Sequence, residues 1–214
     1  MADGIRKGGN GRDASRLAVQ TLLESVFPRL LSSNNLSDKV LTEIMIHSMC
    51  QANRAIYERN LKNTTSMRTT MTAALIIESK AYVVNVGDSR TYHYCPSKGL
   101  TQVTRDHSMV AGLVDIGAIS PEEVYTHPGR GVIYRYLGKH AQVEIDSLVL
   151  DIQAGESLLL CSDGLWEMVR DPEMEQIMSN SSLSPTQTST ALIKAALRGG
   201  GEDNASAIVV RLTN

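Results

Sequence analysis

The sequence predicts an α+β fold in which antiparallel sheet is covered by helices. Two observations carry this. Segments with a helical apolar period come in pairs, and between them stand short strand-like runs joined by connectors of hairpin length. Such connectors suit antiparallel strands and are too short for βαβ crossovers.

After a glycine-rich opening (Gly8-Gly9-Asn10-Gly11), residues 13–31 read as a helix. Leu17, Leu22, Val26 and Leu30 recur at helical spacing, with Leu23, Phe27 and Leu31 beside them. A second helix spans about 37–60, with Val40, Leu41, Ile44, Met45, Met49, Ala52 and Ile56 on one face. The period then changes. Residues 70–77, 81–86 and 90–95 read as strands, and Glu78-Ser79-Lys80 and Gly87-Asp88-Ser89 as the connectors of an antiparallel meander. A helix is expected at 106–116, stopped by Gly117. Ser120-Pro121-Glu122-Glu123 is a capping box with proline at the first helical position, so a short helix starts there. Residues 131–136, 142–151 and 157–162 read as strands. Asp171-Pro172 and Ser184-Pro185 open two late helices, Gly199 closes the second, and 205–212 is a last strand. No repeat and no linker interrupts the 214 residues, which suit one large domain or two small ones.

Composition narrows the function classes. The chain is 42% hydrophobic but only 4% aromatic, so its core must be built from Leu, Ile, Val, Met and Ala. A net charge of -2 without a long basic block argues against nucleic acid as the main partner. No apolar run approaches the ~20 residues of a membrane span, and the N-terminus lacks a secretory apolar segment. Cys50, Cys95 and Cys161 are odd in number and widely spaced. They read as reduced thiols of a cytoplasmic protein, not as a zinc site or a disulfide frame.

Four acids stand beside segments that should be buried. Asp3 precedes Gly4. Asp88 lies in the turn after Val-Val-Asn-Val. Asp163 ends the run Ser157-Leu158-Leu159-Leu160-Cys161-Ser162. Asp203 precedes Asn204 and the last strand. Burying a bare carboxylate is expensive, and few basic residues adjoin these four in sequence. Mg²⁺ or Mn²⁺ would resolve the conflict, since both take oxygen ligands. A glycine after the acid would leave room for the ion and expose a carbonyl. Taken singly, each Asp also reads as a turn residue or a helix N-cap, and the pattern alone does not bring the four together.

The motifs resemble those of the metal-dependent protein serine/threonine phosphatases, the PPM or type 2C family, in its bacterial form. The matching stretches are Asp13–Val19, Met67-Arg68-Thr69-Thr70, Val84–Arg90, Leu100–Ser108, Leu159–Leu165 and Gly200-Gly201-Glu202-Asp203-Asn204. They come in the family's order and cover essentially the whole chain. The resemblance implies a single domain over 1–214, a four-layer αββα sandwich with two central antiparallel sheets. It implies a centre of two Mn²⁺ or Mg²⁺ ions bridged by Asp3, with the Gly4 carbonyl, Asp163 and Asp203 as further ligands. Asp88 would help Asp163 hold a looser third ion. Residues 118–130 would be a flap beside the site. The implied activity is hydrolysis of phosphoserine and phosphothreonine in proteins by a metal-activated water, with no phosphoenzyme. The implied partners are phosphoprotein substrates and a cognate kinase, with neither nucleic acid nor membrane. The alternative is a pseudophosphatase that binds metal or phosphopeptide without turnover.

The departures from the family lie near the N-terminus. Members usually carry two strands before the Asp-Gly motif, with a phosphate-gripping arginine and a further acid. This sequence has two residues before Asp3, which predicts an N-terminally shortened domain with an exposed sheet edge. Gly8 stands where the family has its presumed general-acid histidine, a group worth about 10²–10⁴ in rate. Arg6 and Lys7 are placed to replace the missing arginine in part, or to be solvated loop charges. Arg68 stands where a glycine is usual. His107 and His127 are expected to serve as structural hydrogen-bonding residues.

Overall fold

The computed structural model describes residues 1–5 and 9–213. These form two compact units. The first comprises Ala2–Asp88 and Asp106–Leu150; the second comprises Ser89–Arg105 and Asp151–Asn214, with Met1. The readings made for Arg6, Lys7 and Gly8 fall outside the described residues.

The first unit opens with α1 (Gly11–Ser32) and α2 (Asp38–Asn63). Both start and stop within a few residues of the sequence reading. Ala14, Ala18, Leu22 and Val26 of α1 pack with Leu41, Met45, Met49, Ala52 and Ile56 of α2 in one apolar cluster. Val19, Leu23, Phe27 and Leu31 form an outward stripe at four-residue spacing, all of it exposed. The sheet of this unit has the order β1-β2-β5, from β1 (Met71–Ile77), β2 (Lys80–Val86) and β5 (Asp146–Asp151). β1 and β2 form a tight antiparallel hairpin with Ile77 opposite Lys80.

Two amides of α2 fasten the loop that returns toward this sheet. The Asn53 side chain donates to the His140 and Ala141 carbonyls and accepts the Gly138 N–H at 2.9 Å. Asn60 donates to the Met67 and Gly138 carbonyls and accepts from the Met67 N–H at 2.7 Å and the Thr65 hydroxyl. The same unit carries α3 (Met109–Asp115), N-capped by the Ser108 hydroxyl, and a 3-10 helix at Pro121–Tyr125 with the expected capping box.

In the second unit the sheet order is β4-β3-β6-β7, from β3 (Arg90–Cys95), β4 (Gly99–Gln102), β6 (Ser157–Cys161) and β7 (Ala207–Arg211). β3 pairs antiparallel with β4 and with β6, and β6 pairs antiparallel with β7. β6 is central and buried at every residue, as its run of leucines requires. After it come α4 (Asp163–Trp166), α5 (Asp171–Met178) and α6 (Pro185–Arg198). The capping box of Ser184 and Gln187 starts α6, and Thr188, Leu192, Ala195 and Ala196 form its buried face. Cys95 and Cys161 are buried and Cys50 is exposed; all three are free thiols.

Three expectations need correction. First, β2 and β3 are not a hairpin, so the meander does not exist. β2 pairs in one sheet and β3 in the other, and Gly87-Asp88-Ser89 carries the chain between units. Second, residues 131–136 are not a strand. The Val132 N–H bonds to Gly129 and the Tyr134 N–H to His107, leaving only one isolated bridge, Ser108 to Ile133. Third, the strand expected from 142 begins at Asp146, and β4 went unread. Among the described residues no helix is long and apolar enough to cross a membrane.

One buried cation organises the second unit. Arg90 is 6% exposed, and its guanidinium carbon lies 3.5 Å above the ring of Trp166, the sole tryptophan. It also donates to the Tyr92 hydroxyl at 2.8 Å, which in turn donates to Asp171 at 3.3 Å. Burial pushes the Tyr92 hydroxyl well above its ordinary pKa, so it stays a neutral donor. Arg90→Ala removes a desolvated cation–π contact and a charged hydrogen bond. It is expected to cost about 2–4 kcal/mol in urea unfolding monitored by Trp166 fluorescence.

Candidate metal centre

The five candidate ligands divide between the units. Asp3, Gly4 and Asp88 belong to the first; Asp163 and Asp203 belong to the second. Neither unit alone holds three of the four carboxylates. Among the described residues no three His, Cys, Asp or Glu side chains are gathered at metal-holding spacing.

Asp3 and Gly4 are held by the backbone of residues 68–70. The Thr70 N–H donates to the Asp3 carbonyl at 2.8 Å, and the Ile5 N–H donates to the Arg68 carbonyl at 3.0 Å. The Thr69 hydroxyl donates to the same Asp3 carbonyl at 2.6 Å. Thr69 in turn bridges Leu137 on its other side. Gly4 then crosses Gly11. A Cβ on Gly4 would lie 2.1 Å from the Gly11 carbonyl oxygen, and one on Gly11 would lie 2.6 Å from the Gly4 carbonyl oxygen. No side chain fits at either position.

Asp163 and Asp203 are positioned in the same way. The Ser162 N–H donates to the Ser206 carbonyl at 3.2 Å. The Ser162 hydroxyl donates to the Asn204 carbonyl at 3.2 Å and accepts from the Ser206 N–H at 3.1 Å. A Cβ on Gly164 would come within 2.4 Å of the Asn204 carbonyl oxygen. Segments 162–164 and 204–206 are thus zipped together, with one acid in or beside each. Each carboxylate also accepts the N–H of the next residue, at 2.7 Å for Asp163 and 2.6 Å for Asp203. Asp163 lies in the first turn of α4, half-buried, and Asp203 is exposed.

The sequence accounts for these glycines as room for a cation, and the structure adds a second reason. At Gly4 and Gly164 the place of a side chain is taken by a neighbouring backbone carbonyl. Glycine is required there because two segments of the chain cross beside an acid.

Asp88 is 3% exposed, at the passage out of β2. The turn before it is clamped by His107, which is 1% exposed. The His107 Nδ1 accepts the Gly87 N–H at 3.0 Å, while the His107 N–H donates to the Gly87 carbonyl at 3.0 Å. With Nδ1 an acceptor, the ring proton sits on Nε2, which faces Asp146 at 3.1 Å. Arg135 packs beside the same nitrogen at 3.0 Å and bonds Asp146 at 2.6 Å and Glu144 at 2.7 Å. Burial lowers the His107 pKa, and the Arg135 charge adds to this; together they outweigh the upward pull of Asp146. Burial raises the Asp146 pKa, but the hydrogen bonds and charges of His107 and Arg135 leave it low overall. His127 also accepts a backbone N–H at Nδ1, from Gly129 at 3.0 Å. Both histidines are used structurally.

The donor set is carboxylate oxygen and one peptide carbonyl, without thiol or imidazole. That chemistry fits a hard divalent cation such as Mg²⁺ or Mn²⁺. The serine tie at Ser162 escaped sequence reasoning, and His107 was read as structural without its partner, Gly87. Both depend on partners more than 15 residues away, and a lone serine or histidine gives no local signal.

The protein phosphatase 2C family profile matches residues 1–198. The chain belongs to the protein phosphatase 2C family. Among its relatives is the serine/threonine phosphatase stp of Listeria welshimeri, 35% identical over 98% of this chain and 82% of that protein. The serine/threonine protein phosphatase PstP of Mycobacterium tuberculosis is 34% identical over 98% of this chain, which spans 39% of PstP. The PstP/Ppp crystal structure superposes with a TM-score of 0.86, covering 100% of this chain and 87% of that one. A PstP catalytic domain solved in complex with two manganese ions has a TM-score of 0.81 at 32% identity. The α+β architecture with two antiparallel sheets is therefore that of the 2C phosphatases.

Two outcomes test the site frame. Gly164→Ala drives a methyl group into the Asn204 carbonyl and is expected to lower stability by about 1–3 kcal/mol, read by thermal melting. The lowered His107 pKa sets a pH dependence. Its contribution is complete above the unfolded value of about 6.5 and is lost as pH falls through the lower folded value, because the unfolded chain then binds more protons. Urea unfolding between pH 7.5 and 5 should show this loss, and His107→Gln should flatten it.

Proposed function

We propose that this chain is a metal-dependent phosphatase that hydrolyses phosphoserine and phosphothreonine in proteins. One observation carries the reading above others. Relatives named serine/threonine phosphatases match 98% of the chain at 34–35% identity. The local structure supports it, since each candidate acid lies in or beside a backbone crossing or a clamped turn.

In this reading Asp3, Asp163, Asp203 and the Gly4 carbonyl hold two Mn²⁺ or Mg²⁺ ions, and Asp88 with Asp163 holds a weaker third. Such ions, when bound, supply hydroxide from water near neutral pH and neutralise phosphoryl charge. Within each unit, main-chain and hydroxyl hydrogen bonds hold the segments that carry Asp3, Asp163 and Asp203. Preorganised charge of this kind needs no rearrangement as the reaction proceeds. His107 holds the Asp88 turn, and the capped segment Pro121–Tyr125 stiffens the proposed flap at 118–130. The two units act as one phosphatase domain, its substrates being phosphoproteins made by a serine/threonine kinase in the cytoplasm.

Purified chain with Mn²⁺ is expected to release phosphate from a phosphothreonine peptide, and chelation is expected to stop it. Asp163→Asn should lower the rate about 100-fold or more, the scale of losing several kcal/mol of charge stabilisation. Turnover that survives both chelator and Asp163→Asn would overturn the metal mechanism.

A further inference from the structure

A pocket in the first unit gathers two cations and includes none of the candidate metal ligands. Its volume is about 690 Å³, within the range of small-ligand sites. Asn10, Tyr57, Ser66, Arg68, Tyr136 and Lys139 are among its lining residues, and no acid lines it among the described residues. Two cations converge on one ring there. The Arg68 guanidinium carbon and the Lys139 Nζ each lie 5.5 Å from the centroid of Tyr136. Neither cation forms an ion pair with a described residue. Like charges brought to one ring repel, and the face of a single tyrosine offsets only part of that. A bound anion would offset the rest.

The walls are fixed in advance. Asn60 ties both flanks of the pocket, with its amide on the Met67 and Gly138 carbonyls and its oxygen on the Met67 N–H. Arg68 is fixed at its backbone too, since its carbonyl accepts the Ile5 N–H and the next residue bridges both Gly4 and Leu137. The pocket therefore opens one residue along the chain from the segment that holds Asp3 and Gly4.

We propose that this pocket binds a phosphate monoester carried by a peptide, namely a second phosphorylated side chain of a multiply phosphorylated substrate. The guanidinium and ammonium groups supply charge-assisted donors for the dianion. The Tyr57 ring and Leu61 supply apolar wall for the stem of a side chain, which a free phosphate ion would leave uncovered. The proposal rests on the phosphoprotein phosphatase reading.

The test is binding, measured by fluorescence anisotropy with chelator present so that no metal contributes. Labelled peptides carrying no phosphothreonine, one or two are titrated with the whole chain, and inorganic phosphate is used as competitor. Phosphorylation should tighten binding. Arg68→Gln with Lys139→Gln should weaken phosphopeptide binding about tenfold or more, the scale of a lost charged hydrogen bond. The charge-preserving pair Arg68→Lys and Lys139→Arg should keep most of it, provided both variants melt as the parent does. Equal affinity of parent and Gln variant overturns the proposal. Inorganic phosphate competing at the peptide's own concentration overturns the peptide as its source. Turnover of p-nitrophenyl phosphate with Mn²⁺ is measured separately. If turnover is absent while the Gln variant loses the phosphopeptide, the pocket stands and the enzyme reading falls. If turnover is present while that binding is unchanged, the pocket falls alone.

Discussion

The candidate site depends on backbone crossing backbone at van der Waals distance. At Gly4 and Gly11, and again at Gly164 and Asn204, two segments approach so closely that a single methyl group would collide with a carbonyl oxygen. Each crossing has an acid as its neighbour. Main-chain geometry varies far less than a side-chain rotamer, so an acid next to such a crossing has its Cα–Cβ direction set by the backbone. The serine hydroxyl at 162 and the threonine hydroxyl at 69 add the last hydrogen bonds. Holding charged groups in position costs stability, and here the dense main-chain bonding around them offsets it.

The sequence was most legible where one local signal sufficed. Apolar spacing marked α1 and α2, the Ser184–Gln187 box marked α6, and the leucine run marked β6 as buried. It was least legible where the partner decided the outcome. A three-residue connector looks the same whether its flanking strands pair or part, and only the pairing of β2 in one sheet and β3 in the other shows that they part. The alternation in Val132–Tyr136 is strand-like, yet its N–H groups are taken up by nearby loops. The acids could be named from their neighbours, whereas the second reason for their glycines could not, because Gly11 and Asn204 had no visible link to them.

Family membership and local structure address different questions. The match to the 2C phosphatases covers nearly all of the chain and gives the two-sheet architecture. Local structure explains why particular residues of the shared motifs stand where they do. His107 and Ser108 occupy one motif because one clamps a turn and the other caps α3. Arg90 ends another, where its buried guanidinium lies over the Trp166 ring.

The bridge from Gly4 through Thr69 to Leu137 has an implication for how such a protein can diversify. Its bonds run almost wholly between main-chain atoms, which every residue but proline can supply. Arg68 and Tyr136 occupy the positions next to it, and their side chains are not needed to hold it. A lineage could therefore exchange the groups at 68, 136 and 139, and with them the charge its surface offers to a peptide, while the frame around Asp3 stays in register.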